Sequence, residues 1–160
     1  AGGLMAHAPM FASQAAGTVV VVGGGFGGAT AAKYIKRRNP AIDVTLVEPS
    51  KVFYTCPFTN LYFGGLRTFD QQAHTYDELR ALGVKVVHDL AKAIDVEKKS
   101  VRLGGGGQLT YDKLVLSPGI DFKWNAIEGY DQQAAELAPH AWKAYLHPRG
   151  RRVPRRPAVT

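Results

Sequence analysis

Three glycines, Gly23, Gly25 and Gly28, fall in the spacing GxGxxG between a run of β-branched residues and an alanine-rich stretch. Each position has a steric reason. The first glycine allows a tight turn, the second lets the backbone approach a pyrophosphate, and the third lets a helix pack closely on a strand. A helix opened by such a turn offers unpaired N–H groups and the positive end of its macrodipole to an anion. Twenty residues after Gly28 stands Glu48, a residue type that accepts hydrogen bonds from the ribose hydroxyls of an adenosine half. Its charge repels a 2′-phosphate, which favours FAD or NAD over NADP. The fingerprint does not separate FAD from NAD, and a glycine turn followed by a solvated glutamate is the plainer alternative. The other group of chemical interest is Cys56, the one cysteine in the chain. A cysteine thiolate is a nucleophile, whereas a cysteine packed in a loop is an inert small hydrophobe.

The elements that must position these residues are legible around the glycines. Thr18 to Val22 is apolar on both faces, which suits a central parallel strand. Gly23 to Gly28 form the turn, Ala29 to Arg38 read as a helix, and Pro40 stops it. Asp43 to Glu48 form a second strand, and a right-handed crossover makes the two strands parallel. The fold class is α/β. Pro49 to Gly65 read as a long aromatic loop carrying Tyr54, Cys56 and Phe58, and such loops are often functional. A helix is expected from about Asp70 to Leu82, ended by Gly83, with a strand over Val84 to His88. Residues 91–103 and 108–116 are expected as strands of a meander turned at Gly104 to Gly107. Its last part, Tyr111 to Leu116, returns as an apolar strand that breaks at Ser117-Pro118-Gly119. Residues 131–143 read as partly helical, and no internal repeat is present.

The formal charge of +7 on 160 residues invites a nucleic-acid role, but Arg149, Arg151, Arg152, Arg155 and Arg156 all lie in the last dozen residues. The rest is close to neutral, and no aromatic interleaving or recognition motif accompanies the tail, so no nucleic-acid partner is expected. His7, His74, His88, His140 and His147 show no metal-ligand spacing. No G-x-S-x-G elbow supports hydrolase chemistry. No stretch approaches the ~20 apolar residues of a membrane span. Residues 1–15 carry no formal charge and are rich in Ala, Gly and Met, with Ser13-Gln14-Ala15 offering small residues of the kind a signal peptidase reads. They are expected to be the remnant of an export signal, the alternative being a disordered extension.

Longer stretches carry a resemblance. VVVVGGGFGGATAAKYIK, VTLVEPSKVFYTCPFTNLYFGG, VVHDLAKAIDVEKK, YDKLVLSPGIDFKWNAIEGYD and PHAWKA resemble the flavoprotein subunits of flavocytochrome c sulfide dehydrogenases, within the wider family of FAD/NAD-binding disulfide reductase-like oxidoreductases. The match runs from about Ala16 to Ala144, and YTCPFTN is its most discriminating piece. The resemblance implies a Rossmann-like FAD/NAD(P)-binding domain with a β-meander, incomplete in this chain. It implies that the turn at Pro118 and Gly119 lies against the flavin nucleotide. It also implies that Cys56 is joined by a thioether to the 8-methyl carbon of FAD. Sulfide is then oxidised at the flavin, and electrons pass to a c-type cytochrome subunit in the periplasm.

The family's redox cysteine pair, its second nucleotide-binding-like domain and its late Gly-Asp segment are not found here, so no catalytic residue is assigned in this chain. At Tyr145 the text changes to YLHPRGRRVPRRPAVT, which reads as an out-of-frame continuation or as a true basic tail. The expected organisation is therefore residues 1–15, a nucleotide-binding domain over 16–144, and a basic Arg/Pro tail over 145–160. The alternatives are a catalytically inactive nucleotide-binding fragment and part of a sulfide:quinone oxidoreductase.

Overall fold

The computed structural model describes residues 16–124 and 126–137 of the chain. The expectations for residues 1–15 and 145–160 lie outside the described residues. Four parallel strands make the main sheet: β1 (Thr18–Val22), β2 (Asp43–Val47), β5 (Lys85–Val87) and β9 (Lys113–Leu116), in the spatial order β5-β2-β1-β9. α1 (Phe26–Arg38) crosses from β1 to β2, whose strands pair in register from Thr18↔Asp43 to Val22↔Val47. This is the strand–helix–strand unit the sequence implies.

After Thr18, β1 is apolar throughout because both of its faces are covered. Val19 and Val21 pack with Val44, Leu46, Ala32 and Leu79 on the helical side. Val20 packs with Val47, Val101, Leu103 and Tyr111 on the other. Each such valine or leucine removed from water contributes roughly 1.5–3 kcal/mol. That second side is roofed by an antiparallel meander of β6 (Ala91–Asp95), β7 (Ser100–Leu103) and β8 (Gln108–Thr110). α1 ends with basic residues in its last turn, and Lys36 Nζ donates to Pro40 O and Ile42 O. That arrangement satisfies chain carbonyls next to the negative end of the helix dipole.

Four expectations need correction. The helix from Asp70 to Leu82 is not continuous. Phe69–Gln72 is a 3₁₀ turn, β4 (Ala73–His74) pairs antiparallel with β3 (Phe53–Tyr54), and only α3 (Asp77–Ala81) is helical. Pairing with β3 takes the backbone groups a helix would have used. Gly83 does end α3, at φ +89°. The segment Pro49 to Gly65 is not a structureless loop, since it holds β3 and α2 (Thr59–Phe63). Residues 91–103 form two strands rather than one, turning at Val96 to Lys99 with Lys99 at φ +47°. Finally, the meander ends at Thr110, and β9 crosses to pair with β1 in parallel. The turn over Gly104 to Gly107 is where the sequence implies, and α4 (Gln132–Leu137) lies within the stretch expected to be partly helical.

Candidate functional site

The turn between β1 and α1 gives each fingerprint glycine a separate reason to be glycine. Gly23 sits at φ +96°, and a Cβ there would stand 2.0 Å from Ser117 O. The end of β1 is thereby pressed against the turn after β9. At Gly28 a Cβ would stand 1.8 Å from Gly23 O, so this glycine closes the helix onto the turn. Gly25 differs: its nearest neighbour would be the Phe53 ring at 3.6 Å, which leaves backbone open to a ligand. Gly25 is also the N-cap of α1 and has no side chain to satisfy the first N–H groups.

Glu48 follows β2 and faces the same turn. Its Oε2 accepts from Gly24 N–H at 2.8 Å, and its Oε1 accepts from Ser50 N–H at 2.8 Å. A carboxylate has about four acceptor positions, so two remain for hydroxyl donors. Behind it, Tyr76 Oη donates to Gly24 O at 3.1 Å. Burial, and then the Glu48 charge, push the Tyr76 phenol well above its ordinary value, so it remains a donor at neutral pH. His88 Nδ1 is 3.1 Å from Glu48 O and its Nε2 is 2.8 Å from an Arg80 guanidinium nitrogen. Arginine only donates, so Nε2 accepts and Nδ1–H is the donor to Glu48 O.

One cleft of about 540 Å³ is bordered by Gly23, Gly25, Glu48, Cys56, Pro118 and Gly119. Six of the seven candidate residues therefore come together, from elements far apart in the chain. Gly28 stands behind the turn and acts through packing. Cys56 is half-buried. Its carbonyl is tied to α2, lying 3.1 Å from Thr59 N and 2.7 Å from Thr59 Oγ1. Tyr54 also borders the cleft, with its ring stacked on Phe69 at 4.6 Å. Phe58 does not: it is 57% exposed, adopts φ +71°, and lies under the Arg67 guanidinium. A second cleft of about 510 Å³ lies beside the first, sharing Gly25, Phe26 and Phe53 with it. Among the described residues no group of three or more His, Cys, Asp or Glu side chains could hold a metal ion.

Sequence reasoning missed Gly24, Tyr76, Ser50 and Ser117. Gly24 was visible as the middle of a glycine triplet, and a Cβ there would stand 2.5 Å from Tyr76 Oη and 2.8 Å from Glu48 Cγ. Tyr76 gave no signal, because its partner is 52 positions away.

A parallel sheet in this order, a glycine turn opening a helix, an acid closing the second strand and a roofing meander define a Rossmann-type dinucleotide-binding oxidoreductase domain. The chain belongs to the pyridine nucleotide-disulphide oxidoreductase family, whose pattern matches residues 17–149. It is 67% identical over 42 residues to the flavoprotein chain of sulfide dehydrogenase [flavocytochrome c] from Chlorobaculum thiosulfatiphilum, which is 26% of this chain and 88% of that one. It is 29% identical over 111 residues to the mitochondrial sulfide:quinone oxidoreductase of Mus musculus, covering 69% of this chain and 25% of that protein. The solved structure of sulfide:quinone oxidoreductase from Aquifex aeolicus superposes with a TM-score of 0.64 at 26% identity, over 68% of this chain and 26% of that one. The chain thus spans about a quarter of the length of these sulfide:quinone oxidoreductases. Membership supports binding of FAD or NAD(P), and the cleft fits such a group. Its glycine rim has no side chains, Glu48 retains acceptor capacity, and the Gly25 amide carries no partner among the described residues.

Proposed function

We propose that this chain is the FAD-binding part of a periplasmic flavoprotein that oxidises sulfide and passes electrons to a c-type cytochrome subunit. The observation that carries the proposal is the convergence of the fingerprint glycines, Glu48, Cys56 and the Pro118-Gly119 turn on one cleft. The likeness to the Chlorobaculum flavoprotein chain supports the substrate and the partner. In this reading Glu48 holds the adenosine ribose, the backbone at Gly25 meets the pyrophosphate, and Pro118 and Gly119 flank the nucleotide. Cys56 Sγ would hold the flavin through a thioether that replaces its S–H bond and one C–H bond of the 8-methyl group, the two electrons and two hydrogens passing to the flavin ring. The bound flavin supplies the redox chemistry, while the protein fixes its position and surroundings. Among the described residues no helix is long and apolar enough to cross a membrane.

One observation favours a second reading. The chain has a single cysteine, so it cannot itself form the cycling disulfide that the resemblance implies. It would then hold the cofactor without carrying a catalytic group, as part of a sulfide dehydrogenase or of a sulfide:quinone oxidoreductase.

Acid precipitation of the flavin-loaded chain tests the attachment. Flavin should stay with the pellet, and Cys56→Ser should release it to the supernatant. Complete release from the unaltered chain removes the thioether from the proposal. Sulfide-dependent reduction of cytochrome c separates the two readings, since bound flavin without reduction leaves only the holding role. Periplasmic and cytoplasmic fractions of the source cells test the location.

A further inference from the structure

The glycine turn is gripped from the side away from the dinucleotide cleft. Tyr76 is only 3% exposed, and its hydroxyl donates to Gly24 O. Gly24 borders the second cleft together with Tyr76 and does not border the dinucleotide cleft, whereas Gly25 borders both. The Gly24 C=O and the Gly25 N–H belong to one peptide plane, and in a trans peptide they point in opposite directions. Holding the carbonyl therefore turns the Gly25 N–H away from Tyr76. That N–H has no hydrogen-bond partner among the described residues. It stands immediately before a 13-residue helix, where amides favour an anion.

The peptide also needs an outside grip. It is flanked by two glycines, the residues whose backbone rotates most freely. On its other side, the Gly24 N–H is fixed by Glu48. Tyr76 comes so close that a Cβ at Gly24 would be 2.5 Å from its hydroxyl, so glycine at this position and tyrosine at 76 are matched.

We infer that Tyr76 is a positioning residue for the pyrophosphate, its hydroxyl fixing the Gly24-Gly25 peptide so that the Gly25 N–H is aimed at a phosphate oxygen before the ligand arrives. This rests on the dinucleotide reading of the cleft. Pre-organisation of this kind strengthens binding by removing an ordering cost.

The test uses the full chain, with ADP and adenosine as probes. Tyr76→Phe keeps the ring and loses only the hydroxyl. It should weaken ADP binding about five- to tenfold, in line with one hydrogen bond, and leave adenosine affinity unchanged. Glu48→Gln should weaken both ligands, because it acts at the ribose. Equal weakening of ADP and adenosine by Tyr76→Phe would mean that Tyr76 only supports the fold, and no weakening would mean that it does not position the turn. Either result overturns the inference while leaving the cleft a dinucleotide site. Binding of neither ligand by the unaltered chain overturns both. A measurement without any variant covers failure of Tyr76→Phe to fold. In the unaltered chain ADP, but not adenosine, should shift the Gly25 amide resonance downfield, and an unmoved resonance overturns the inference.

Discussion

A methyl group added at Gly28 would stand 1.8 Å from Gly23 O and 3.3 Å from Val21 Cγ1. Neither neighbour can move without shifting the strand or the turn. Gly28→Ala should therefore destabilise the fold by about 3 kcal/mol, the upper part of the usual overpacking range, read as a lowered melting temperature. At Gly25 the same change meets only the Phe53 ring, at an ordinary contact distance of 3.6 Å, and a backbone at φ −71°, which alanine adopts without strain. Gly25→Ala should cost less than about 1 kcal/mol as an N-cap change. It should nevertheless reduce ADP affinity about tenfold, at least one hydrogen bond's worth. Equal melting temperatures for the two variants would show that the glycines are not divided between packing and binding. The division itself was legible in the spacing, since steric rules give each position its task. What the spacing hid was Gly24, whose task depends on a tyrosine brought in by the tertiary fold.

At the scale of elements, β1 and β9 are clasped at their start. Asp112 Oδ2 accepts from Thr18 N–H at 2.7 Å and from the Thr18 hydroxyl at 2.9 Å. These bonds, the backbone one first, hold the Asp112 carboxyl below the usual carboxylate range, with Lys99 and Lys113 assisting. A depressed folded-state pKa stabilises the fold above the unfolded value of about 3.9, and the contribution is lost as pH falls through the lower folded value. The melting temperature should drop with acidification in that window. Asp112→Asn should lower it at neutral pH and flatten the acid limb. Some acid dependence should remain from Asp77, whose pKa is lowered first by the Thr75 hydroxyl. Parallel acid limbs in the two proteins would remove the clasp as a source.

The same clasp explains a limit of the sequence reading. The apolar strand from Tyr111 to Leu116 was visible, but nothing local told whether it closes the meander or joins the parallel sheet. Long-range contacts at Thr18 and along β1 decide that. Local signals likewise favoured one helix over Asp70 to Leu82, and pairing of Ala73 and His74 with β3 overrode them. The stretch Thr18 to Glu48 was legible because its signals are local: a β-branched run, a glycine turn and a proline stop.

For the whole molecule, the charge of +7 is concentrated in the five arginines from Arg149 to Arg156. Among the described residues several basic groups are already engaged with oxygen acceptors. Lys85 pairs with Asp43, Arg80 with Asp77 and Lys98 with Asp95, while Lys36 is bound to two carbonyls. These groups sit in β5, α3, the turn of the meander and the last turn of α1, each tied to an oxygen acceptor rather than free to follow a phosphate backbone. The five arginines from Arg149 to Arg156 are contiguous enough to do so. Any binding of duplex DNA by this chain should therefore be electrostatic and sequence-independent, with a slope of log K against log salt of about −4 to −5 if all five neutralise phosphates. Deleting residues 145–160 should abolish that binding and leave ADP affinity unchanged, both measurable by titration of the same preparation. DNA binding that survives the deletion would place a basic surface on the folded domain, and a loss of ADP affinity would place the tail at the dinucleotide cleft.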